Sequence, residues 1–197
     1  MMHSLAPSLL LSMPQLVDPN FNRTVVLLCK HGDEGAFGLV MNRPLQTAGR
    51  VVVNLGSLGT AGTERGESNE TISTERELEV WIGGPVEPQR SWMLVAGDPE
   101  RDGTTGMRIT EDLYLSTSPD LLRRMLAPTP PPNARLVIGY SGWGRGQLEA
   151  ELEASAWLMS DVDRSLLFTT PAECMWETAI RRLGADPATL QMSRGVH

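Results

Sequence analysis

Cys29 and His31 carry the two side chains of this sequence that are best suited to chemistry. Residues two apart on a strand share a face, so a thiolate and an imidazole here could bind zinc or act as a nucleophile and its base. A structural zinc site needs about four such ligands, but His3 and His197 lie near the chain ends and Cys174 is far along the sequence. The pattern therefore favours a packed thiol beside a histidine at a strand end, with a redox or nucleophilic Cys29 as the alternative and no metal or cofactor expected.

Ser141 lies in a second sequence pattern that could support catalysis. The segment Gly139-Tyr140-Ser141-Gly142-Trp143 is similar to the G-x-S-x-G turn of hydrolases, but Trp143 occupies the second glycine position. No histidine follows Ser141 before His197. A glycine turn is the favoured interpretation, and hydrolytic chemistry at Ser141 is the alternative.

Glycines surround Ser141 on both sides and precede a predicted helix. Free backbone N–H groups at a helix start can hold an anion, and glycine allows a ligand to approach the backbone closely. The segment lacks the Gly-Lys-Ser/Thr ending of a phosphate-binding loop and the strand–helix–strand frame of a dinucleotide site. It therefore indicates, at most, a general anion or ligand site.

Two other loops share this glycine, proline and arginine character, and we hypothesise that all three loops line one binding groove. The alternative is that each loop is only a tight turn. A guanidinium and exposed N–H groups would favour carboxylate or phosphate groups, and an indole would favour a ring. The predicted groove consists of Asn42, Arg43, Pro44, Gly83, Gly84, Pro85, Arg90, Ser141, Gly142, Trp143, Gly144 and Gly146.

Short strands and three helices must position these loops. Apolar and β-branched runs, with a turn at residues 32–35, predict a hairpin and several further strands. Helices are predicted at Pro119–Ala127, from Gly146 to Trp157, and at Pro171–Leu183 from caps and apolar spacing. The predicted strands are Leu9–Met13, Thr24–His31, Ala36–Met41, Leu78–Ile82, Ser91–Ala96, Met107–Ile109, Leu113–Ser116, Leu136–Tyr140 and Ser165–Phe168.

This order of elements lacks regular strand–helix alternation and favours an α+β fold around a mixed, mainly antiparallel sheet flanked by helices. A length of 197 residues suits one compact domain over residues 1–197. Residues 60–77 are polar and aperiodic, so we expect a mobile loop there.

Charge and composition exclude several classes of function. The net charge is -7, and only one of the 17 basic residues, Lys30, is a lysine, so direct nucleic-acid binding is not expected. The first 22 residues contain neither Lys nor Arg, and the apolar run Leu9–Met13 is too short for a signal peptide or a membrane span. The two cysteines form no C-x-x-C pair. A soluble protein of the reducing cytoplasm, without membrane contact, is the expectation.

With these motifs in view, the chain resembles the YqgE/AlgH family of bacterial proteins. The similarity extends over roughly residues 9 to 184, in the order in which the family carries its motifs. The matching pieces are Met13-Pro14, Asp18-Pro19-Asn20-Phe21, Arg23-Thr24-Val25-Val26, Gly35-Ala36-Phe37-Gly38-Leu39-Val40, Asn42-Arg43-Pro44, Gly83-Gly84-Pro85-Val86, Gly139-Tyr140, Gly146-Gln147-Leu148-Glu149, Trp157, Leu167-Phe168 and Trp176.

The resemblance implies a compact α+β fold, a cytoplasmic location and no established catalytic activity. Some members of the family are labelled transcriptional regulators, which the acidic charge here favours interpreting as influence on expression without DNA contact. The family usually carries a histidine shortly after its second glycine loop, whereas this chain has Arg90-Ser91-Trp92-Met93-Leu94-Val95, and it ends in Gly195-Val196-His197 rather than Gly-His-Ala. We therefore expect a non-enzymatic regulatory protein that binds a small molecule or a protein partner, with an enzyme using Cys29, His31 or Ser141 as the alternative.

Overall fold

The computed structural model describes residues 4–16, 18–45, 51–54, 71–74, 79–127, 129, 131 and 133–192. These residues form eleven strands and five helices. The strands are β1 (Ser8–Ser12), β2 (Val25–Gly32), β3 (Gly35–Val40), β4 (Val51–Asn54), β5 (Thr71–Thr74), β6 (Val80–Ile82), β7 (Val86–Ala96), β8 (Met107–Thr110), β9 (Leu113–Ser116), β10 (Ala134–Trp143) and β11 (Trp157–Ser160). The helices are α1 (Pro119–Leu126), α2 (Gln147–Glu153), α3 (Arg164–Thr169), α4 (Ala172–Arg182) and α5 (Pro187–Met192).

The strands form a mostly antiparallel sheet, and the predicted α+β class is confirmed. Eight strands follow the order β11-β1-β2-β3-β10-β7-β9-β8, with β6 paired to β10, while β4 and β5 pair separately. The predicted hairpin is present as β2 and β3, which are antiparallel with an irregular register between Leu28 and Lys30.

The chain divides into two compact units. The first comprises Met1–Arg43, Ile82–Val86 and Tyr140–His197, and the second comprises Pro44–Trp81 and Glu87–Gly139. Both units are therefore assembled from separate chain segments. The single domain expected over residues 1–197 stays a prediction.

Each unit has its own apolar cluster. In the first, alternating residues of β1, β2 and β3 pack with the Trp143 and Trp157 indoles and with Leu148 of α2. In the second, Met93 and Tyr114 from the strands pack with Leu121, Leu122 and Met125 of α1. The predicted spacing of apolar residues on α1 is confirmed, and its first turn carries the expected proline.

Four predicted elements differ from the structure. Residues 141–143, predicted as part of a glycine turn, are the end of strand β10, where they pair with β3. Residues Ser165–Phe168 are helical within α3, because the Asp163 side chain caps that helix by accepting a hydrogen bond from the Leu166 N–H. The helix that begins near Gly146 stops at Glu153, and Trp157 starts β11. Of the loop predicted at residues 60–77, Thr71–Thr74 is a strand, and the other residues lie outside the described part of the chain.

Candidate functional site

Ser141 lies inside the first unit, where β10 pairs with β3. The register places Ser141 opposite Gly38 and Gly142 opposite Phe37. The Ser141 side chain is 0% exposed, and its hydroxyl donates a hydrogen bond to the Gly83 carbonyl at 3.0 Å. This hydroxyl therefore holds a loop in place instead of facing solvent.

The loop that contains Gly83 and Gly84 packs tightly against β10. A Cβ atom on Gly84, whose φ is +153°, would lie 2.3 Å from the carbonyl carbon of Tyr140. Glycine is required here because any side chain would collide with backbone. Gly83 and Gly84 are buried, whereas Pro85 is exposed.

Asn42 supports the turn that precedes β2. Its Oδ1 accepts a hydrogen bond from the Val25 N–H at 2.9 Å, and its Nδ2 donates to the Arg23 carbonyl at 2.8 Å. Arg43 donates from Nη2 to the Asn22 carbonyl, also at 2.8 Å. These contacts hold Arg23 in the left-handed region at a φ of 53°.

Backbone contacts bring the three predicted loops together within the first unit. The Ile82 N–H donates to the Arg43 carbonyl at 2.8 Å, next to the Gly83 carbonyl that accepts from Ser141. Pro44 and Arg90 belong to the second unit, where Pro44 bridges to Trp81 and the Arg90 guanidinium lies 4.7 Å from the centre of the Trp92 ring. A ligand-binding role for the twelve residues stays a prediction.

Trp143 is part of the core beneath α2. The residue is 6% exposed, and its indole lies 6.0 Å from that of Trp157 in an edge-on arrangement. Both indole N–H groups donate to Glu151 Oε2, at 2.9 Å from Trp143 and 2.7 Å from Trp157. Glu151 Oε1 accepts from Gln147.

The glycines that follow Trp143 lead into α2. Gly144 donates its N–H to the Gln147 side chain at 3.0 Å, and Gly146 caps the helix at a φ of 73°. Both glycines are exposed.

Sequence reasoning did not predict an aromatic surface on strands β3 and β10. It lies on the face of these strands opposite to Ser141 and Trp143. The Phe37 and Tyr140 rings are half-buried with centroids 5.2 Å apart, and a Cβ atom on exposed Gly142 would lie 3.4 Å from the Tyr140 ring. Lys30 pairs directly with Phe37 across β2 and β3. We call Lys30, Phe37, Val86, Tyr140 and Gly142 the Phe37 face. Strand alternation over residues 140–143 contained the signal, because it places Tyr140 and Gly142 on the side opposite Ser141 and Trp143.

Cys29 and His31 do not form a reactive pair. The irregular register between Leu28 and Lys30 breaks the simple rule that residues two apart share a face. The buried Cys29 thiol donates to the Leu27 carbonyl at 3.4 Å, and burial raises its pKa far above the ordinary value. A thiol in this state is a poor nucleophile.

His31 is engaged at both ring nitrogens. Nδ1 accepts the Leu5 N–H at 3.2 Å, and Nε2 lies 2.9 Å from Glu149 Oε1.

Cys29 and Cys174 are both free thiols. Within the described residues, no group of three His, Cys, Asp or Glu side chains is placed to hold a metal, and no helix is long and apolar enough to cross a membrane.

Fold and site together define an α+β protein in which polar side chains of the loops form hydrogen bonds with other protein groups. The chain belongs to the AlgH-like family, whose model matches residues 9–188. It is 38% identical over 196 residues to a UPF0301 protein of Myxococcus xanthus, covering 100% of both chains. A UPF0301 protein of Xanthomonas axonopodis pv. citri is 39% identical over 184 residues, covering 92% of this chain and 90% of the relative.

Two solved structures have the same fold. The solution structure of the AlgH protein from Pseudomonas aeruginosa matches with a TM-score of 0.69 and 32% identity, covering 100% of this chain and 97% of that chain. A crystal structure of a Corynebacterium diphtheriae protein has the same fold, with a TM-score of 0.64 at 20% identity over 98% of this chain and 92% of that chain. The family resemblance read from the sequence is confirmed.

Proposed function

We propose that this protein is a non-enzymatic binding protein of the cytoplasm that regulates through a protein or small-molecule partner, without contacting DNA. One observation carries the proposal: each candidate reactive side chain is buried and hydrogen-bonded to another group of the first unit. The Ser141 hydroxyl donates to Gly83, the Cys29 thiol is buried, and both nitrogens of His31 have protein partners. Acyl transfer or hydrolysis needs a nucleophile within hydrogen-bond reach of a base, and no such contact joins these three residues.

The Phe37 face is the surface that we propose for binding, and it is apolar, aromatic and weakly charged. In the Phe37 face, Gly142 and Lys30 are exposed, and the two rings are half-buried. Aromatic faces next to a glycine fit a ring, a proline or an aliphatic side chain, and a lysine fits a carboxylate. Arg43, which is half-buried next to Ile82, adds a guanidinium to the nearby predicted groove.

The test is a screen of metabolites by thermal shift together with selection of peptides from a displayed library, followed by variants. Val86→Glu and Lys30→Glu should each weaken the binding of a discovered ligand by about tenfold or more, as expected for loss of an anchor contact. Met159→Glu, at an exposed apolar position of β11, is the matched control and should bind normally. If both Phe37-face variants bind like the wild type, that face is not the binding surface.

A second set of variants separates binding from catalysis. Cys29→Ser and Ser141→Ala should retain ligand binding and cellular activity, allowing for modest destabilisation because both side chains are buried. A folded Ser141→Ala or Cys29→Ser protein that binds its ligand but has lost its cellular activity would support the enzyme alternative.

A further inference from the structure

An N-terminal segment lies across one end of the first unit and is tied to His31. The Leu5 N–H donates to His31 Nδ1 at 3.2 Å, and the Ser4 hydroxyl donates to the His31 carbonyl at 3.3 Å. Leu5 and Ala6 also pack against the apolar cluster that contains Trp143 and Trp157. We call residues 4–7 the N-terminal strap.

These contacts fix the tautomer of His31. Nδ1 must carry a lone pair, because it accepts the Leu5 N–H. The ring proton is therefore on Nε2, which donates to Glu149 Oε1 at 2.9 Å. The His31 side chain is 2% exposed, so water does not substitute freely for either partner.

We propose that the N-terminal strap is a pH-sensitive latch, docked while His31 is neutral and released when Nδ1 is protonated. An imidazolium has a donor at each nitrogen and no acceptor. Protonation therefore places the Nδ1 proton against the Leu5 N–H, and the hydrogen bond between Leu5 and the His31 ring is lost. Nε2 donates to the Glu149 carboxylate in both states, so protonation changes only the contact at Nδ1.

Among the described residues, no charged group is hydrogen-bonded to Nδ1 of His31. Residues 4–7 carry no ionisable side chain, and Ala36 is the neighbour of His31 on β3. From α2, Glu149 meets Nε2 instead. Lys30, Asp33 and Glu34 of the hairpin, and Arg145 and Glu153 at the two ends of α2, are exposed.

Release has a defined consequence for the molecule. The strap leaves the part of the cluster that Leu5 and Ala6 cover, so apolar surface of the cluster that contains Trp143 and Trp157 becomes accessible. Because one proton is exchanged for one docking contact, the docking equilibrium weakens by about tenfold for each pH unit below the midpoint.

The test follows the Leu5 amide and the His31 ring in the same full-length protein by NMR. The protection factor of the Leu5 amide, corrected for intrinsic exchange, should fall by about tenfold per pH unit as the His31 ring resonances titrate. Core amides of β2, such as that of Leu27, should keep their protection. Tryptophan fluorescence should change over the same pH range.

Two variants complete the experiment. His31→Asn keeps an acceptor oxygen near the Nδ1 position but does not titrate, so its Leu5 protection should not depend on pH. Glu149→Gln keeps an acceptor oxygen for Nε2, so in this variant Leu5 protection should still fall as the His31 ring resonances titrate. The proposal is overturned if Leu5 protection is constant while His31 titrates, if it falls together with the core amides, or if it still depends on pH in His31→Asn. Should His31→Asn fail to fold, the Glu149→Gln result decides.

Discussion

Ser8 and Ser12 are both buried on β1, and they differ in whether the hydroxyl group has a hydrogen-bond partner. Within the described residues, the Ser8 hydroxyl has no hydrogen-bond partner, whereas Ser12 Oγ accepts the Thr24 N–H at 2.8 Å. A buried hydroxyl without a partner loses its hydration and gains nothing in return. We expect Ser8→Ala to raise the free energy of unfolding by about 1 kcal/mol, as measured by urea denaturation.

Ser12→Ala is the matched control on the same strand. It removes the acceptor and leaves the buried Thr24 N–H without that partner. We expect it to lower the free energy of unfolding by about 1–3 kcal/mol. Equal effects of the two substitutions would show that the Ser8 hydroxyl is satisfied in solution.

At the scale of elements, α2 is a helix of seven residues that depends on its packing, because so short a helix is unstable alone. Glu151 joins it to the strands by accepting from the Trp143 and Trp157 indoles. Hydrogen bonds to a charged acceptor contribute about 1.5–3 kcal/mol each. We expect Glu151→Ala to lower the free energy of unfolding by about 2–4 kcal/mol.

Glu151→Gln tests whether the loss comes from the acceptor. It keeps one carbonyl oxygen for the indoles, so it should cost clearly less than Glu151→Ala. Urea denaturation followed by tryptophan fluorescence measures both. Equal losses would mean that the negative charge, and not the hydrogen-bond acceptor, is what α2 requires.

The end of α2 explains why the sequence predicted too long a helix. Leu148 and Leu152 continue the apolar spacing, and no glycine marks the stop. The structure ends the helix with Ser155 in the left-handed region, at a φ of 57°, while the Ala156 N–H donates to the Glu151 carbonyl and the Ser155 N–H to the Leu152 carbonyl. This is the hydrogen-bonding pattern that usually places glycine where Ser155 lies.

Ser155→Gly should therefore stabilise the protein. A residue with a Cβ atom costs roughly 1–2 kcal/mol in the left-handed region, and glycine does not. Part of that gain is offset by the greater freedom of glycine in the unfolded chain, so we expect an increase of about 0.5–1 kcal/mol in the free energy of unfolding. A decrease on thermal or urea denaturation would contradict this, and Ser155→Ala, which keeps the Cβ atom, should give no increase.

Other elements were predictable to different degrees. The hairpin and α1 follow from turn residues, a proline and apolar spacing, all of which are local signals. The strand predicted at Ser165–Phe168 was wrong because four apolar or small residues suit either structure, and the capping role of Asp163 decides between them. Backbone contacts join the three loops, and their role as a binding groove stays a prediction. Burial of Ser141 and Trp143 depends on which face of β10 the helix α2 covers, and no local signal contains that information.

At the scale of the whole molecule, several carboxylates make stability depend on acid pH. The backbone N–H of Glu100 holds the pKa of Asp98 below its ordinary value, and the Arg23 hydrogen bond does the same for Glu177. The pKa of Glu149 is also lowered, first by its own backbone N–H and then by His31.

A carboxyl group with a lowered pKa in the folded state stabilises above its unfolded pKa, and the contribution disappears as the pH falls through the folded value. We therefore expect the free energy of unfolding to decline from about pH 5 downward, because the unfolded chain takes up more protons there. Urea denaturation between pH 7 and pH 3 measures it. Glu177→Gln should flatten the decline, and an unchanged free energy down to pH 3 would contradict the assignment.

The charge of the molecule makes a last prediction about its partners. Acidic residues outnumber basic ones by 24 to 17, and several exposed arginines already face carboxylates: Arg123 meets Asp120, Arg181 meets Glu177 and Arg182 meets Asp163. Binding to duplex DNA gains its affinity largely by replacing counterions with lysine and arginine, so a chain of net charge -7 gains little.

We expect no binding to duplex DNA tighter than about 10 μM at 0.15 M salt, as measured by fluorescence anisotropy. Weak binding that appears only near 20 mM salt and ignores sequence would agree with this, since unscreened charge alone accounts for it. Sub-micromolar, sequence-dependent binding at physiological salt would instead mean that a cluster of arginines overcomes the overall charge and that regulation involves direct contact with DNA.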